Sequence, residues 1–172
     1  MLLNILFRLF LTFSSTMWII VIYVIKSHIT AWGLKDYFFA ILTIAVAVCV
    51  TFISLQLTKK LEKDELIECS EFSQADNEYI PVYLGYFFVA LSVNDLYTLT
   101  FVYLIIFALI VMMNAYFNPV FILLGYHYYH VTTAEGTQIF LICKDESRNP
   151  KDITFNDLRR INNRTYISHK GA

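Results

Sequence analysis

Two histidines in the stretch HYYH, His127 and His130, are the first residues whose spacing could support chemistry. On a helix this spacing would place both imidazoles on one face, where they could share a metal ion. In a strand, the odd separation points the two side chains to opposite faces. The surrounding residues favour a strand, and the sequence offers no third ligand nearby. We therefore expect neither a metal site nor a cofactor here.

The cysteines and short motifs do not indicate catalysis either. Cys49, Cys69 and Cys143 form no C-x-x-C pair. The KDEL at residues 63–66 is internal, so it is not a C-terminal retention signal. The chain has no phosphate-binding glycine loop, no H-E-x-x-H and no nucleophile motif. The sequence predicts that the protein is not an enzyme.

Two segments of opposite charge are better candidates for function. Residues 58–78 carry seven acidic residues against three lysines, and the tail from Lys144 onward carries seven basic residues against four acidic ones. A solvated extension of the second span would also explain the acidic segment, and attraction to anionic lipid headgroups would also explain the basic tail. We predict that both segments dock a partner protein. The predicted docking residues are Arg148, Lys151, Arg159, Arg160, Arg164, Glu65, Glu68 and Glu71.

The elements that must position these residues are long apolar runs. The chain has 172 residues, is 58% hydrophobic and 16% charged, and has a mean hydropathy of +0.57. A soluble domain is nearer half apolar and a quarter charged. A helix needs roughly 20 residues to cross a bilayer core of about 30 Å. The sequence predicts a mainly α-helical integral membrane protein, with a four-helix transmembrane bundle whose spans cover residues 9–25, 37–57, 79–93 and 96–114.

The distribution of lysine and arginine predicts the orientation of these spans. Four spans place both termini and the acidic loop 58–78 on one side, together with eleven basic residues. The other side has only Lys26 and Lys35. We therefore expect a multi-pass membrane protein with both termini in the cytoplasm.

The junction after the fourth span is predicted to be a hinge formed by Asn118 and Pro119. Proline has no N–H to give to a helix, and it biases the residue before it away from helical geometry. Residues 1–118 would then be the transmembrane region, and residues 119–172 a small cytoplasmic α+β module of ββαβ order. The module would begin with a hairpin closed near Gly136. Its helix would start at Thr154, with Asp157 three residues on.

The turn between the third and fourth spans contains Asn94 and Asp95. The third span is short for a bilayer, so this turn could lie inside the outer leaflet, where a carboxylate is costly and often functional. The alternative is a helix-capping turn at the headgroups. We predict that Asn94 and Asp95 take part in membrane sensing.

The segment FNPVFILLGYHYYHVTTAEGTQIFLICK, with a basic helix after it and four short spans before it, resembles the KwaA family. These proteins are membrane components of the bacterial Kiwa anti-phage defence system. The resemblance implies a sensor in the inner membrane that responds to phage attachment. It also implies a homo-oligomer, which we expect to be a tetramer, holding a cytoplasmic DNA-binding effector, KwaB. No direct binding of nucleic acid by this chain is expected.

A small oligomeric pore or transporter subunit is the alternative function. The first two spans carry hydroxyl residues that could line a conduction path or pack helices against each other. Ion flux in liposomes would favour a pore, whereas co-purification with a cytosolic protein would favour the sensor. These hydroxyl residues are Thr12, Ser14, Ser15, Thr43, Thr51 and Ser54.

Overall fold

The computed structural model describes residues 2–29, 33–66, 69–114, 116–144 and 155–169. Within them the chain forms five α-helices, one short 3₁₀ helix and a six-stranded mixed sheet. The sheet combines strands from the acidic loop with strands from the C-terminal part of the chain. The helices are α1 (Leu2–His28), α2 (Leu34–Thr58), α3 (Ile80–Ser92), α4 (Leu96–Met113) and α5 (Pro119–Leu123), and the 3₁₀ helix is Asp76–Tyr79.

Three of the helices, α1, α2 and α4, are long and apolar enough to cross a membrane. Their extents agree with the first, second and fourth predicted spans. Helix α3 occupies the position of the third predicted span but has only 13 residues. Thirteen residues rise about 20 Å, which is less than the roughly 30 Å core of a bilayer. The structure is thus compatible with a membrane protein, and it supports three long apolar spans rather than four.

Helix α1 is the centre of the helical layer, because it packs against α2, α3 and α4. Its middle carries Ser14, Ser15 and Thr16, all of which are buried. Their hydroxyls donate to main-chain carbonyls of the preceding turn, so they are satisfied without water. Small hydroxyl residues let neighbouring helices approach closely. By contrast, α2 and α4 expose most of their apolar side chains.

The sheet has the strand order β1-β5-β6-β4-β3-β2. Neighbouring strands are antiparallel except for β4 and β6, which are parallel. The hairpin of β3 and β4 was predicted, and Gly136 lies in its turn with a φ of 78°. The strands are β1 (Lys63–Leu66), β2 (Cys69–Gln74), β3 (His127–Thr133), β4 (Gln138–Cys143), β5 (Phe155–Arg160) and β6 (Thr165–Ser168).

The chain connectivity requires this sheet to curl strongly. Strands β1 and β2 lie at opposite edges, yet Leu66 and Cys69 are only three peptide steps apart, a reach of about 11 Å. In a flat sheet, six strands would separate the two edges by about 24 Å. The edges must therefore approach each other, as they do in a partly open barrel.

The two faces of the curled sheet carry separate apolar clusters. One cluster joins Tyr128, Ile142 and Ile167 to Leu11 and Leu55, so this face packs against the helices. The other cluster lies on the opposite face and is filled by strand residues. Its buried members are Tyr129, Val131, Ile139, Leu141, Cys143 and Leu158. The second cluster is thus the interior of the curled sheet.

Two sequence predictions about this module were wrong. The segment predicted to form a helix from Thr154 contains strand β5, in which Leu158 pairs with Asp64 on one side and Ser168 on the other. The acidic segment 58–78 is not a plain loop, because it supplies both edge strands of the sheet. The ββαβ module is therefore replaced by a six-stranded sheet that draws on both sides of the predicted boundary at residue 118. Thr154 itself lies outside the described residues.

Candidate functional site at the helix–sheet junction

Asn118 is the residue on which the helices and the sheet converge. It is buried with 1% of its surface exposed. Its backbone is extended, as expected before Pro119, and its side-chain oxygen caps α5 by accepting from the N–H of Val120 at 3.0 Å. Its Nδ2 donates to the carbonyl of Ser14 in α1 at 2.8 Å and to the hydroxyl of Thr51 in α2 at 2.9 Å. One side chain thus connects three helices.

Tyr128 adds the sheet to this connection. Its hydroxyl accepts from the backbone N–H of Asn118 at 3.0 Å and lies 3.1 Å from the Asn118 carbonyl, to which it donates. Tyr128 is 1% exposed, and burial raises the pKa of its phenol far above the ordinary value, so it stays protonated. We call Ser14, Thr51, Asn118 and Tyr128 the Asn118 node. The node joins α1, α2, α5 and β3 through buried hydrogen bonds.

A second set of contacts holds the 3₁₀ helix against β3. The carboxylate of Asp76 lies 2.7 Å from Nδ1 of His127 and accepts from the backbone N–H of Tyr128 at 2.7 Å. Two residues on, Glu78 lies 3.0 Å from Nε2 of His130. The histidines considered as metal ligands are therefore partners of carboxylates. Since the 3₁₀ helix runs directly into α3, these pairs fix the start of α3 to the sheet.

Aromatic rings fill the space between these two sets of hydrogen bonds. Tyr79, the last residue of the 3₁₀ helix, stacks on Phe117 with ring centroids 3.3 Å apart. Both rings contact Tyr128 and Phe140 edge-on. No local sequence pattern predicts this cluster, because its members come from separate elements of the fold. It makes the junction a packed core instead of a flexible link.

The break in the chain before the junction lies earlier than the predicted hinge. Helix α4 ends at Asn114, whose backbone is left-handed with a φ of 55°. The guanidinium of Arg8 in α1 donates to the side-chain oxygen of Asn114 and to the hydroxyl of Tyr116, the latter at 2.9 Å. The start of α1 therefore lies beside the end of α4. Whether Asn118 and Pro119 act as a hinge stays a prediction.

The predicted sensing residues lie at the opposite end of the helices. Asp95 is exposed and caps α4, accepting from the N–H of Thr98 at 2.8 Å and from its hydroxyl at 2.7 Å. These bonds lower the pKa of the Asp95 carboxyl. Asn94 accepts from Nζ of Lys26 at 3.1 Å, and the same Nζ donates to the carbonyl of Val93 at 2.8 Å. The end of α1 thus holds the turn between α3 and α4, which the predicted topology makes the outer turn.

The predicted docking residues fall in different parts of the sheet. Glu71 is exposed on edge strand β2, whereas Arg159 in β5 is half-buried and donates to the carbonyl of Leu61 at 2.9 Å. Arg160 and Arg164 are both exposed and line one large cavity. The other four predicted docking residues have no described side chain. Arg148, Lys151 and Glu68 lie outside the described residues, and for Glu65 only the strand is described.

No arrangement with an evident catalytic role is formed by the described residues. They contain no group of three or more side chains that could hold a metal ion. Cys49 and Cys69 are free thiols, and burial raises the pKa of the Cys69 thiol. Buried hydrogen bonds and packed rings connect the sheet to α1, α2 and the start of α3, so the position of the sheet depends on the positions of these helices.

Comparison with known proteins gives one match. A family model described as anti-phage protein KwaA matches residues 7–167, which is nearly the whole chain. The matched range includes α2, α4 and strands β1 to β5 in full, α1 from Phe7 onward and β6 up to Ile167. No curated protein and no solved structure matches the chain.

Proposed function

The chain belongs to the KwaA anti-phage family, and from this premise we propose that it is the membrane-embedded sensor and scaffold of a bacterial defence complex. In this role it detects infection at the inner membrane and holds a cytoplasmic DNA-binding effector. The observation that carries the proposal is the Asn118 node, which connects two apolar helices directly to the sheet. A change in helix packing would therefore alter the surface that the sheet offers to a partner.

The proposed topology has four crossings, with both termini and the sheet in the cytoplasm. It is supported by the contacts of α1 with α4: Arg8 meets Asn114 at one end, and Lys26 meets Asn94 at the other, so the two helices are antiparallel. Helix α3 would cross only where the bilayer is thin, and this mismatch would make the outer turn respond to membrane deformation.

Reporter fusions test this topology. A fusion after Ala172 is expected to show cytoplasmic activity, and a fusion within the turn at Asp95 is expected to show periplasmic activity. A periplasmic C-terminus would contradict the proposal, because the sheet could then not reach a cytoplasmic effector.

The proposed docking surface for the effector includes the exposed edge of the sheet. Glu71 on β2 is the described acidic residue that best tests it, since its side chain is exposed and lies away from the helix-facing cluster. Glu71→Lys should reduce effector capture in pull-downs from native membranes. Glu135→Lys makes the same charge change at the exposed β3–β4 turn and serves as the control. Equal capture by both variants at matched expression would exclude docking at this edge.

The proposed assembly is a homo-oligomer, a tetramer, that uses the exposed apolar faces of α2 and α4. The alternative, a small oligomeric pore or transporter subunit, is not favoured by the hydroxyl residues of the first two helices. The hydroxyls of Thr12, Ser14 and Ser54 are buried and bond to neighbouring carbonyls or to one another, which is typical of helix packing. The buried hydroxyl of Thr51 accepts from Nδ2 of Asn118. Ion flux through liposomes that contain the purified protein would favour the pore instead.

A further inference from the structure

A cavity of about 1040 Å³ lies between the helices and the sheet, and none of the four residues of the Asn118 node lines it. Its walls come from the start of α1, the end of α4 and the turn that joins β5 to β6. Three guanidinium groups line it, those of Arg8, Arg160 and Arg164. These residues are far apart in the sequence, so the fold itself brings their positive charges together.

The positive charges of these three groups are not neutralised by carboxylates in the described chain. Arg8 donates to two neutral oxygens, on Tyr116 and Asn114. Arg160 donates to the amide oxygen of Asn163 at 2.7 Å. Within the described residues, the guanidinium of Arg164 makes neither a hydrogen bond nor an ion pair. Guanidinium groups with free donors are well suited to bind phosphate in bidentate fashion.

Two carboxylates also line the cavity and must be counted. Glu78 lies 3.0 Å from Nε2 of His130, so its charge is engaged by a side chain that also lines the cavity. Glu62 is exposed at the end of the α2–β1 connection. Three arginines against two glutamates leave an excess of positive charge. The cavity therefore favours an anion.

Two apolar side chains at the ends of long helices also line the cavity, beside polar residues of the turn between β5 and β6. Ile5 and Met113 line the cavity and lie at the ends of two helices that are apolar enough to cross a bilayer. Arg8 lies less than one turn inside the apolar segment that begins at Ile5. Leu109 and Met112 continue an exposed apolar surface along α4. A bound molecule can thus place a charged group at the arginines and a hydrocarbon chain along α4.

From this combination we infer that the cavity binds the phosphate headgroup of an anionic phospholipid from the cytoplasmic leaflet. Basic pockets between helices at this surface are typical sites for anionic lipid headgroups. An acidic peptide would satisfy the arginines but would leave the apolar wall at Ile5 and Met113 unused. The inference rests on the proposed membrane orientation only, and it requires neither the effector nor a phage.

The test is lipid titration of the purified full-length protein in detergent, followed by native mass spectrometry. Dioctanoyl-phosphatidylglycerol is the probe. Dioctanoyl-phosphatidylcholine supplies a phosphate within a headgroup that has no net charge, and inorganic phosphate supplies the anion without acyl chains. Arg164→Gln removes one donor group from an exposed turn, so it should not disturb folding. Lys60→Gln makes the same charge change at the exposed end of α2, outside the cavity.

We expect phosphatidylglycerol to bind the wild type about tenfold more tightly than phosphatidylcholine, because a hydrogen bond to a charged group is worth about one factor of ten or more. Arg164→Gln should lose most of this preference, and Lys60→Gln should keep it. Equal affinity of the wild type for the two lipids would overturn the inference. An equal preference for phosphatidylglycerol in Arg164→Gln and Lys60→Gln would also overturn it. Inorganic phosphate binding as tightly as phosphatidylglycerol would show an anion site without a lipid. None of these results bears on effector capture, so they are separable from failure of the proposed function.

Discussion

Replacement of Asn118 by alanine tests the physical role of the junction most directly. The change removes the cap of α5, which is worth about 1 kcal/mol. It also leaves the Thr51 hydroxyl and the Ser14 carbonyl without the Nδ2 donor, at a cost of about 1–3 kcal/mol for a buried group left unsatisfied. We therefore expect the free energy of unfolding to fall by about 2–4 kcal/mol. For a chain of this size, each 1 kcal/mol lowers Tm by about 2–4 °C.

A second substitution at the same position separates the cap from the network. Aspartate caps helices about as well as asparagine, so a role limited to capping would make Asn118→Asp nearly neutral. In the node, however, aspartate would place a carboxylate oxygen against the Ser14 carbonyl, where the amide now donates at 2.8 Å. A buried charge without a partner is strongly unfavourable. We expect Asn118→Asp to be at least as destabilising as Asn118→Ala.

The assay is thermal unfolding of the purified protein in one detergent, followed by intrinsic fluorescence. Asn77→Ala is the matched control, since Asn77 is exposed in the 3₁₀ helix and substitutions of this kind cost about 0.5 kcal/mol or less. If Asn118→Ala and Asn77→Ala melt at the same temperature, the node does not stabilise the junction. If Asn118→Asp melts like the wild type, the cap alone accounts for the residue.

Two further predictions follow from single hydroxyl and carboxyl groups. The Tyr83 hydroxyl is buried and has no hydrogen-bond partner within the described residues, so Tyr83→Phe should leave Tm unchanged or raise it slightly. Tyr128→Phe removes a buried hydrogen bond and should lower the free energy of unfolding by about 1–3 kcal/mol. A large loss of stability in Tyr83→Phe would show that the Tyr83 hydroxyl has a partner. The pKa of Asp95 is lowered by its bonds to Thr98, so its contribution to stability is present above the ordinary pKa of about 4 and is lost as the pH falls through the lower folded value. Asp95→Asn should flatten the acid side of the Tm profile, because asparagine caps α4 without titrating; an unchanged profile would contradict the cap.

The positions of the long helices were predictable because the hydropathy of the sequence is enough to identify a segment that can cross a membrane. A run of apolar residues long enough to cross a bilayer has few alternatives to a helix, since every backbone polar group must be satisfied within the segment. The predicted second and fourth spans, residues 37–57 and 96–114, accordingly agree with α2 and α4 within a few residues. The hairpin was predictable because two β-rich runs flank a short loop that contains Gly136.

The remaining strands were not predictable, because their stability comes from distant residues. In β5 the local signals of Thr154 and Asp157 favour a helix, but Leu158 gains more by burial in the interior of the sheet, where it is 1% exposed. Strands β1 and β2 are short, charged and at the edges, which are the features that protect an edge from aggregation and that also make a strand resemble a solvated loop.

The candidate site was only partly predictable. The sequence identified Asn118 by its position before Pro119, but it gave no means of finding Ser14, Thr51 or Tyr128 as its partners. Hydrogen bonds between residues about 100 positions apart leave no local pattern. The pairs of His127 with Asp76 and of His130 with Glu78 were missed for the same reason.

The contacts indicate which helix would carry a displacement of the turn at Asn94 and Asp95 to the sheet. Transmission along α4 to Pro119 would pass through the left-handed break at Asn114. Helix α1 has no such break: Lys26 holds the outer turn at one end, while Ser14 joins the Asn118 node and Arg8 lines the cavity near the other. The helix between Arg8 and Lys26 is continuous and about 27 Å long. In the proposed sensor, a displacement of the outer turn would therefore act on the node and on the lipid cavity through α1.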